Sequence, residues 1–221
     1  MKAVPLAFLA LMLTGISCKK SSSPAAAPLV YMSLTAGNTW NYQSTNNLTA
    51  AVTANTVSST SRDTAISSKT FHVFTNSSGA ANDYYNITGN DYYTFKNVVG
   101  VGNGSFTTIY LKDNAAAGTN WSQTENVAVF SGVPTTIPIT VTYTIAEKGI
   151  TRVVNSKTYT DVIHITTVIN SASLPAGSLI TDIQSYYAPN YGLIENKNKI
   201  TTTLITGSNV DQVTILKSAS F

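Results

Sequence analysis

Charged residues are scarce in this chain. Of its 221 residues only 10% are Asp, Glu, Lys or Arg, and only three of these are glutamate. The formal net charge of +3 comes from Lys2, Lys19 and Lys20, because the ten Lys and Arg that follow balance all ten Asp and Glu. Nucleic-acid binding depends largely on clustered Lys and Arg that neutralise phosphates. The sequence therefore predicts no nucleic-acid partner.

Residues that bind metals or act as nucleophiles are also few. The chain has one cysteine and two histidines, His72 and His164, far apart in the sequence. Zinc needs several converging ligands, so we expect no metal and no cofactor. Both histidines lie in alternating segments and are interpreted as solvated or hydrogen-bonded strand residues. No Gly-x-Ser-x-Gly motif occurs, so no catalytic residue is predicted; a Ser/His/Asp triad assembled from distant strands stays open, because geometry defines such triads.

Long apolar runs are absent except at the start of the chain. After Lys2, residues 3–17 carry no charge and have an apolar centre. Spanning a bilayer takes about 20 apolar residues. Residues 1–17 are therefore predicted to be an export signal peptide and not a membrane anchor.

The only cysteine follows this leader directly. The segment Leu13-Thr14-Gly15-Ile16-Ser17-Cys18 resembles a bacterial lipobox, in which the cysteine is acylated. The lipobox prefers Leu three places before the cysteine, where this chain has Gly15, a relaxation similar to that of Bacteroidetes lipoproteins. Cys18 is the predicted lipid attachment site, and the alternative is ordinary cleavage after Ser17. An exported protein with one thiol cannot form an internal disulfide, which favours acylation.

A flexible tether is predicted after the leader. Residues 18–29 comprise the lipidated cysteine and a stretch rich in Ser, Ala and Pro without apolar periodicity. No Asp follows Cys18, so the inner-membrane retention signal of enteric lipoproteins is missing, and the acidic residues of Bacteroidetes surface-export signals are missing too. The resemblance implies a lipid anchor in the bacterial outer membrane, with the periplasmic side favoured over the cell surface.

Short polar residues dominate the rest of the chain. It contains 33 Thr, 24 Ser and 20 Asn, a composition that disfavours helices and suits strands and turns. The clearest alternation places Ile, Val and Tyr of residues 137–145 on one face and Thr and Pro on the other, which predicts a strand with one buried face. Turn signals such as Gly89-Asn90, Lys148-Gly149 and Asn155-Ser156 separate such segments.

These patterns predict an all-β fold for residues 30–221, as a single domain. The short loops favour an antiparallel meander of about 10–13 strands, since no segment reads as the crossover helix that parallel pairing requires. A sheet that long must curl into a half-barrel or barrel, with a β-sandwich as the alternative. Besides 137–145, the predicted strands are 38–46, 49–58, 69–76, 83–88, 91–98, 105–112, 121–130, 150–154, 157–169, 180–188, 191–197, 198–206 and 209–216.

The only two tryptophans stand in similar surroundings. Ala36-Gly37 is followed by two short polar residues and Trp40, and Ala117-Gly118 by two short polar residues and Trp121. Both segments are explained by a turn at the glycine that leads into a strand. The first large residue of that strand, the tryptophan, is expected to fill the end of a core. We interpret the echo as a recurrent way of starting a strand, with an internal duplication as the alternative.

Three segments resemble those of a broad set of uncharacterised Bacteroidetes outer-membrane lipoproteins. They are residues 31–42 (YMSLTAGNTWNY), the strand at 157–163, and residues 186–194 (YYAPNYGLI). The family pattern is an N-terminal Y-x-L-x-x-G-x-x-W-x-Y, here with one residue more before the Leu, and a late Y-Y-A-x-x-x-G-L-I/V. The resemblance implies an open, curved β meander similar to the half-barrels of lipoprotein carriers. It implies no catalytic residue.

Three hypotheses of function follow. The first is a lipid-anchored cell-envelope protein without a catalytic site, whose curved sheet binds an apolar ligand or a partner protein; Ile165 is expected to line that surface. The alternative is a glycan-binding module that uses exposed tyrosines from the hairpin around Gly89-Asn90, or from the pair at 186–187. The second alternative is a hydrolase. The hairpin tyrosines are Tyr84, Tyr85, Tyr92 and Tyr93.

Overall fold

The computed structural model describes residues 29–97, 105–128, 136–203 and 209–221. The predicted leader, Cys18 and almost all of the tether lie outside these ranges. Within them, every regular element is a β-strand, and none is a helix that could cross a membrane. The strands are β1 Thr39–Asn46, β2 Val52–Ile66, β3 Lys69–Asn76, β4 Asp83–Thr88, β5 Asp91–Asn97, β6 Ser105–Lys112, β7 Asn120–Ala128, β8 Thr136–Val154, β9 Lys157–Asn170, β10 Leu179–Ala188, β11 Gly192–Thr202 and β12 Val210–Ser220.

The twelve strands form one antiparallel sheet that curls into a nearly closed barrel. Its order is β6-β5-β4-β3-β2-β1-β12-β11-β10-β9-β8-β7. The first and last strands therefore pair with each other and close the sheet, while β6 and β7, which are consecutive in the chain, are its two edges. The predicted all-β meander is confirmed, and the one unsealed seam lies in the middle of the sequence.

Strict alternation decides which side chains fill the barrel. In β8, Ile139, Val141, Tyr143 and Ile145 are buried, whereas the Thr residues between them are only half-buried. The adjacent strand β9 continues this apolar row on the same face, because Ile145 pairs with Ile165 and Val141 with Ile169. The inner faces of β8 and β9 thus form an apolar wall, as the alternation predicted.

Two predicted strand boundaries are wrong. Lys148-Gly149 was expected to be a turn, but it lies inside β8, whose register against β9 shifts three times between Ile145 and Arg152. Gly149 has φ 72° there, so its left-handed backbone serves bulges and not a chain reversal. The predicted boundary between 191–197 and 198–206 is likewise absent, because β11 runs without a break from Gly192 to Thr202. The reversal after β8 is Asn155-Ser156, where both residues have positive φ, as a two-residue hairpin loop requires.

The chain before β1 crosses one end of the barrel. The Val30 carbonyl accepts a hydrogen bond from the Asn190 amide at 2.6 Å. The Tyr31 amide donates a hydrogen bond to the hydroxyl of Tyr92 in β5. The Tyr31 hydroxyl donates to the Asp161 carbonyl of β9 at 2.7 Å. Tyr31 and Met32 are buried by these contacts. Residues 30–32 therefore cover one end of the barrel, through contacts with β5, β9 and the turn before β11.

Candidate functional site

The barrel encloses two adjoining chambers. The first, here called the isoleucine chamber, has a volume of about 150 Å³. Its walls come from β5, β6 and β8 to β11, so it lies against the apolar wall described above. Its apolar lining consists of Phe106, Val141, Ile165, Ile169, Ile183 and Ile200.

The second chamber, here called the polar chamber, has a volume of about 280 Å³. It lies on the side of β1 to β5, and Met32 from the N-terminal crossing lines it as well. Its polar lining consists of Ser44, Asn55, Asn76, Asp83, Thr94 and Thr214. The lumen is therefore amphipathic. The isoleucine chamber is the richer in apolar side chains, but Thr108, Thr167, Ser185, Asn196 and Asn198 line it as well.

Lys96, Tyr110 and Tyr187 line both chambers and so mark their border. Lys96 lies on the inner face of β5, two residues from the buried Thr94. Lys96 is an exposed residue, and part of its side chain lines both chambers. Burial among the strands lowers the pKa of Lys96, and the Asp83 carboxylate opposes that change.

Asp83 occupies the neighbouring position on β4, because Tyr84 pairs with Phe95 in the register of the two strands. Burial raises the pKa of Asp83, and the Lys96 ammonium partly offsets this effect. No ion pair within 4.0 Å joins the two side chains. Each charge therefore influences the other from the adjacent strand without an ion pair.

Tyrosine hydroxyls add further polar groups to the border region. Tyr42 donates its hydroxyl to the Leu193 carbonyl at 3.0 Å, and Thr108 donates to the Tyr143 hydroxyl at 3.1 Å. Burial raises the pKa of Tyr85 and of Tyr110 well above the ordinary value. These phenols are therefore neutral hydrogen-bond donors at physiological pH, and none is an ionised nucleophile.

A Ser/His/Asp arrangement exists, outside both chambers. The Ser59 hydroxyl oxygen lies 2.9 Å from His72 Nε2, and His72 Nδ1 lies 2.7 Å from an Asp63 carboxylate oxygen. The same hydroxyl donates to the Leu34 carbonyl at 3.2 Å, and Ser59 is only 4% exposed. Neither chamber is lined by Ser59. The arrangement connects the segment before β1 to β2 and β3, and the serine is buried among these contacts.

A second polar network covers the outer face of β8 to β11. The Tyr186 ring is sandwiched between the His164 ring, stacked at 4.3 Å, and the Arg152 guanidinium carbon at 3.5 Å from its centroid. His164 Nδ1 lies 2.9 Å from Glu147 Oε2. Arg152 Nε donates a hydrogen bond to Glu195 Oε2 at 2.7 Å. Burial would raise the pKa of Glu195, but the hydrogen bond from Arg152 and nearby positive charges hold it below its usual value. His164 is thus a hydrogen-bonded strand histidine, as predicted.

The tyrosine pairs do not form one surface. In the β4–β5 hairpin Tyr84 pairs with Phe95, and Tyr93 pairs with Asn86, so the two predicted pairs are not opposite each other as expected. Tyr85 and Tyr187 line the lumen, and the ammonium of Lys69 lies 3.9 Å from the ring of Tyr93 on the outer face. This register follows from the two-residue turn, which pairs Thr88 with Asp91. Tyr85 lines the lumen and Tyr92 is buried, so one tyrosine of each hairpin pair lies inside.

Sequence reasoning placed Ile165 on the apolar surface but missed Lys96. Ile165 lines the isoleucine chamber. Lys96 lies two residues after Thr94 in β5, so alternation places both side chains on the inner face. The inward position could have been inferred from the sequence, but a lysine at such a position is normally interpreted as solvated. Cys18 lies outside the described residues. Among the described residues, no group of three or more His, Cys, Asp or Glu could hold a metal ion.

Comparisons with known proteins identify fold-level likeness only. No family profile and no curated protein matches this sequence. One similar solved structure is described as a lipoprotein of Parabacteroides distasonis; it is 9% identical, with a TM-score of 0.47, and the match covers 87% of this chain and 99% of the other. Another is described as an exported protein with YmcC-like fold from Bacteroides fragilis; it is 8% identical, with a TM-score of 0.43 and coverage of 88% and 100%.

Proposed function

We propose that this protein is a lipid-anchored component of the bacterial outer membrane that binds a small apolar ligand inside its barrel. The observation that carries the proposal is the isoleucine chamber. Its volume of about 150 Å³ matches that of an apolar cavity which binds benzene in an engineered protein. Pockets with mostly apolar walls and a few polar groups are the usual form of a small-molecule site.

The anchor follows from the leader and its cysteine. The described chain begins at the closed end of the barrel, where Asn190 holds Val30. A tether from Cys18 would therefore attach to the end that Tyr31 and Met32 fill. Cys18→Ser should abolish acylation, because the chain has no other thiol.

Metabolic labelling with a palmitate analogue and membrane fractionation test the anchor. We expect the wild type to carry the label and sediment with the outer membrane, and the Cys18→Ser chain to be unlabelled and soluble. Protease added to intact cells should leave the wild type uncut if it faces the periplasm. An unlabelled wild type whose Cys18→Ser variant still sediments would contradict the anchor.

Binding of a neutral apolar dye, N-phenyl-1-naphthylamine, tests the lumen. Ile183 lines the isoleucine chamber, whereas Ile180 on the same strand is 59% exposed. Ile183→Gln should weaken dye binding about tenfold, because it replaces an apolar lining side chain by an amide, while Ile180→Gln should not change it. Ile165→Gln should act like Ile183→Gln if the variant folds. Failure of the folded wild type to bind the dye would overturn the proposal.

The hydrolase hypothesis has its own test. A fluorophosphonate probe reacts with activated serines, and Ser59 is the residue with a histidine and a carboxylate aligned behind it. We expect no labelling, since Ser59 is buried. Labelling that disappears in the Ser59→Ala variant would make a hydrolase the better interpretation.

A further inference from the structure

Lys96 differs from the other lysines that the structure describes. Lys112 contacts Asp91 at 2.9 Å, Lys148 donates to two backbone carbonyls, and Lys217 donates to the Asn155 side chain at 2.7 Å. Lys69 and Lys157 lie over tyrosine rings. Within the described ranges Lys96 has no hydrogen bond and no ion pair, and it lines both chambers.

An ammonium inside a barrel is costly unless something compensates its charge. Asp83 is the nearest opposite charge, yet it makes no contact with Lys96 and lines only the polar chamber. The isoleucine chamber is lined by Lys96 and by no carboxylate. A group in that chamber therefore meets Lys96 at the border with the polar chamber, and isoleucines together with Ser185, Asn196 and Asn198 along the rest of the wall.

We propose that the ligand of the lumen is an anionic amphiphile, with an oxyanion head at Lys96 and a short apolar body in the isoleucine chamber. This inference rests on the proposed function and specifies its ligand class. Lysine is a point charge that does not select planar shapes, so carboxylate and phosphate heads both fit. The hydroxyls of Tyr110 and Tyr187 at the same border are suited to donate to the oxygens of such a head.

Displacement of the neutral dye by three eight-carbon compounds tests this inference. Octanoate, octyl phosphate and octanol share the apolar body and differ in the head. The measurement uses the full chain with Cys18→Ser, collected after export without detergent, so that neither lipid nor detergent competes. We expect octanoate or octyl phosphate to displace the dye at a concentration at least about tenfold lower than octanol, because a hydrogen bond to a charged group adds that much.

Three variants identify the charge responsible. Lys96→Met should weaken binding of the anionic compound about tenfold and leave the dye and octanol within about twofold. Lys96→Arg should retain the preference, since it keeps the charge. Asp83→Asn should strengthen anion binding, because it removes an opposing charge. Lys199→Met, whose exposed lysine lies on the outer face 4.0 Å from Asp211, is the matched control and should change nothing.

The outcomes separate the two proposals. If the dye and octanol bind but neither anion is preferred, or if Lys96→Met keeps the preference, the anionic head is excluded and apolar binding stands. If the folded chain binds no dye, apolar binding itself fails. Preference for octanoate would assign a carboxylate head, and preference for octyl phosphate a phosphate head. If Lys96→Met does not fold, as judged by circular dichroism, Lys96→Gln replaces it.

Discussion

Trp40 and Trp121 enter their strands through the same turn but reach opposite environments. Gly37 and Gly118 have φ of 91° and 86°, and each donates its amide to the neighbouring strand, at Ser59 and Ile145. The amides of Ser59 and Ile145 return the hydrogen bond to the carbonyl one residue after the glycine. The local device that the sequence echo predicted is therefore present twice.

The sheet around each tryptophan then differs. Trp40 in β1 lies at the sealed junction with β12; it is 1% exposed and packs against Phe74 and Phe221. Trp121 in β7 lies at the unsealed seam, half-buried, where it stacks on Tyr143 and donates Nε1–H to the Ile109 carbonyl of β6 at 2.7 Å. The Trp40 ring fills a core. The Trp121 ring bridges the seam between β6 and β7 with a side-chain hydrogen bond, where backbone hydrogen bonds between paired strands would otherwise form.

The largest expected effect is on stability when each ring is removed. Trp40→Ala should lower the free energy of unfolding by about 3–5 kcal/mol, because it leaves a cavity in a sealed core. Trp121→Ala should lower it by about 2 kcal/mol, because its ring is only half-buried. Urea unfolding followed by circular dichroism measures both. Equal losses would show that the seam is as tightly packed as the sealed junction.

A smaller effect is expected from the two turns. Gly37→Ala and Gly118→Ala should each cost about 1–2 kcal/mol, since an added Cβ meets no neighbour within 4 Å but the positive φ disfavours it. Asn at either position should cost less, because Asn tolerates that backbone better. Equal losses of unfolding free energy at the two glycines would show that the two regions differ in the environment of the tryptophan rings and not in their turns. A loss at only one of them would show that the turns are not equivalent.

The smallest effect concerns the seam itself. The Gln123 side chain donates to the Thr107 carbonyl across it, so Gln123→Leu should cost about 1 kcal/mol. Hydrogen exchange should quicken in β6 and β7 and stay unchanged in β1 and β12. Thr124→Val, on the outer face of the same strand beside Thr140, is the control. Faster exchange at the β1–β12 junction would mean that the seam does not open independently.

Alternation in the sequence was sufficient to find the strands and the apolar wall, because a period of two has one structural meaning. It identified the inner row of β8 and placed Ile165 in the lumen. It misjudged Lys148-Gly149, because a glycine with positive φ suits a bulge as well as a turn. It also left the tyrosine register undetermined, since pairing depends on which residues close the hairpin loop.

The sequence by itself determined the polar composition, the alternating strands, the two glycine turns and the lone cysteine behind an apolar leader, because each depends on residues close together in the chain. The tertiary structure alone decided that β1 seals against β12 while β6 and β7 stay apart, and that Lys96 shares a chamber with side chains from β8 to β11. Those features depend on strands far apart in the chain meeting as the sheet curls, and local patterns carry no information about which edges meet.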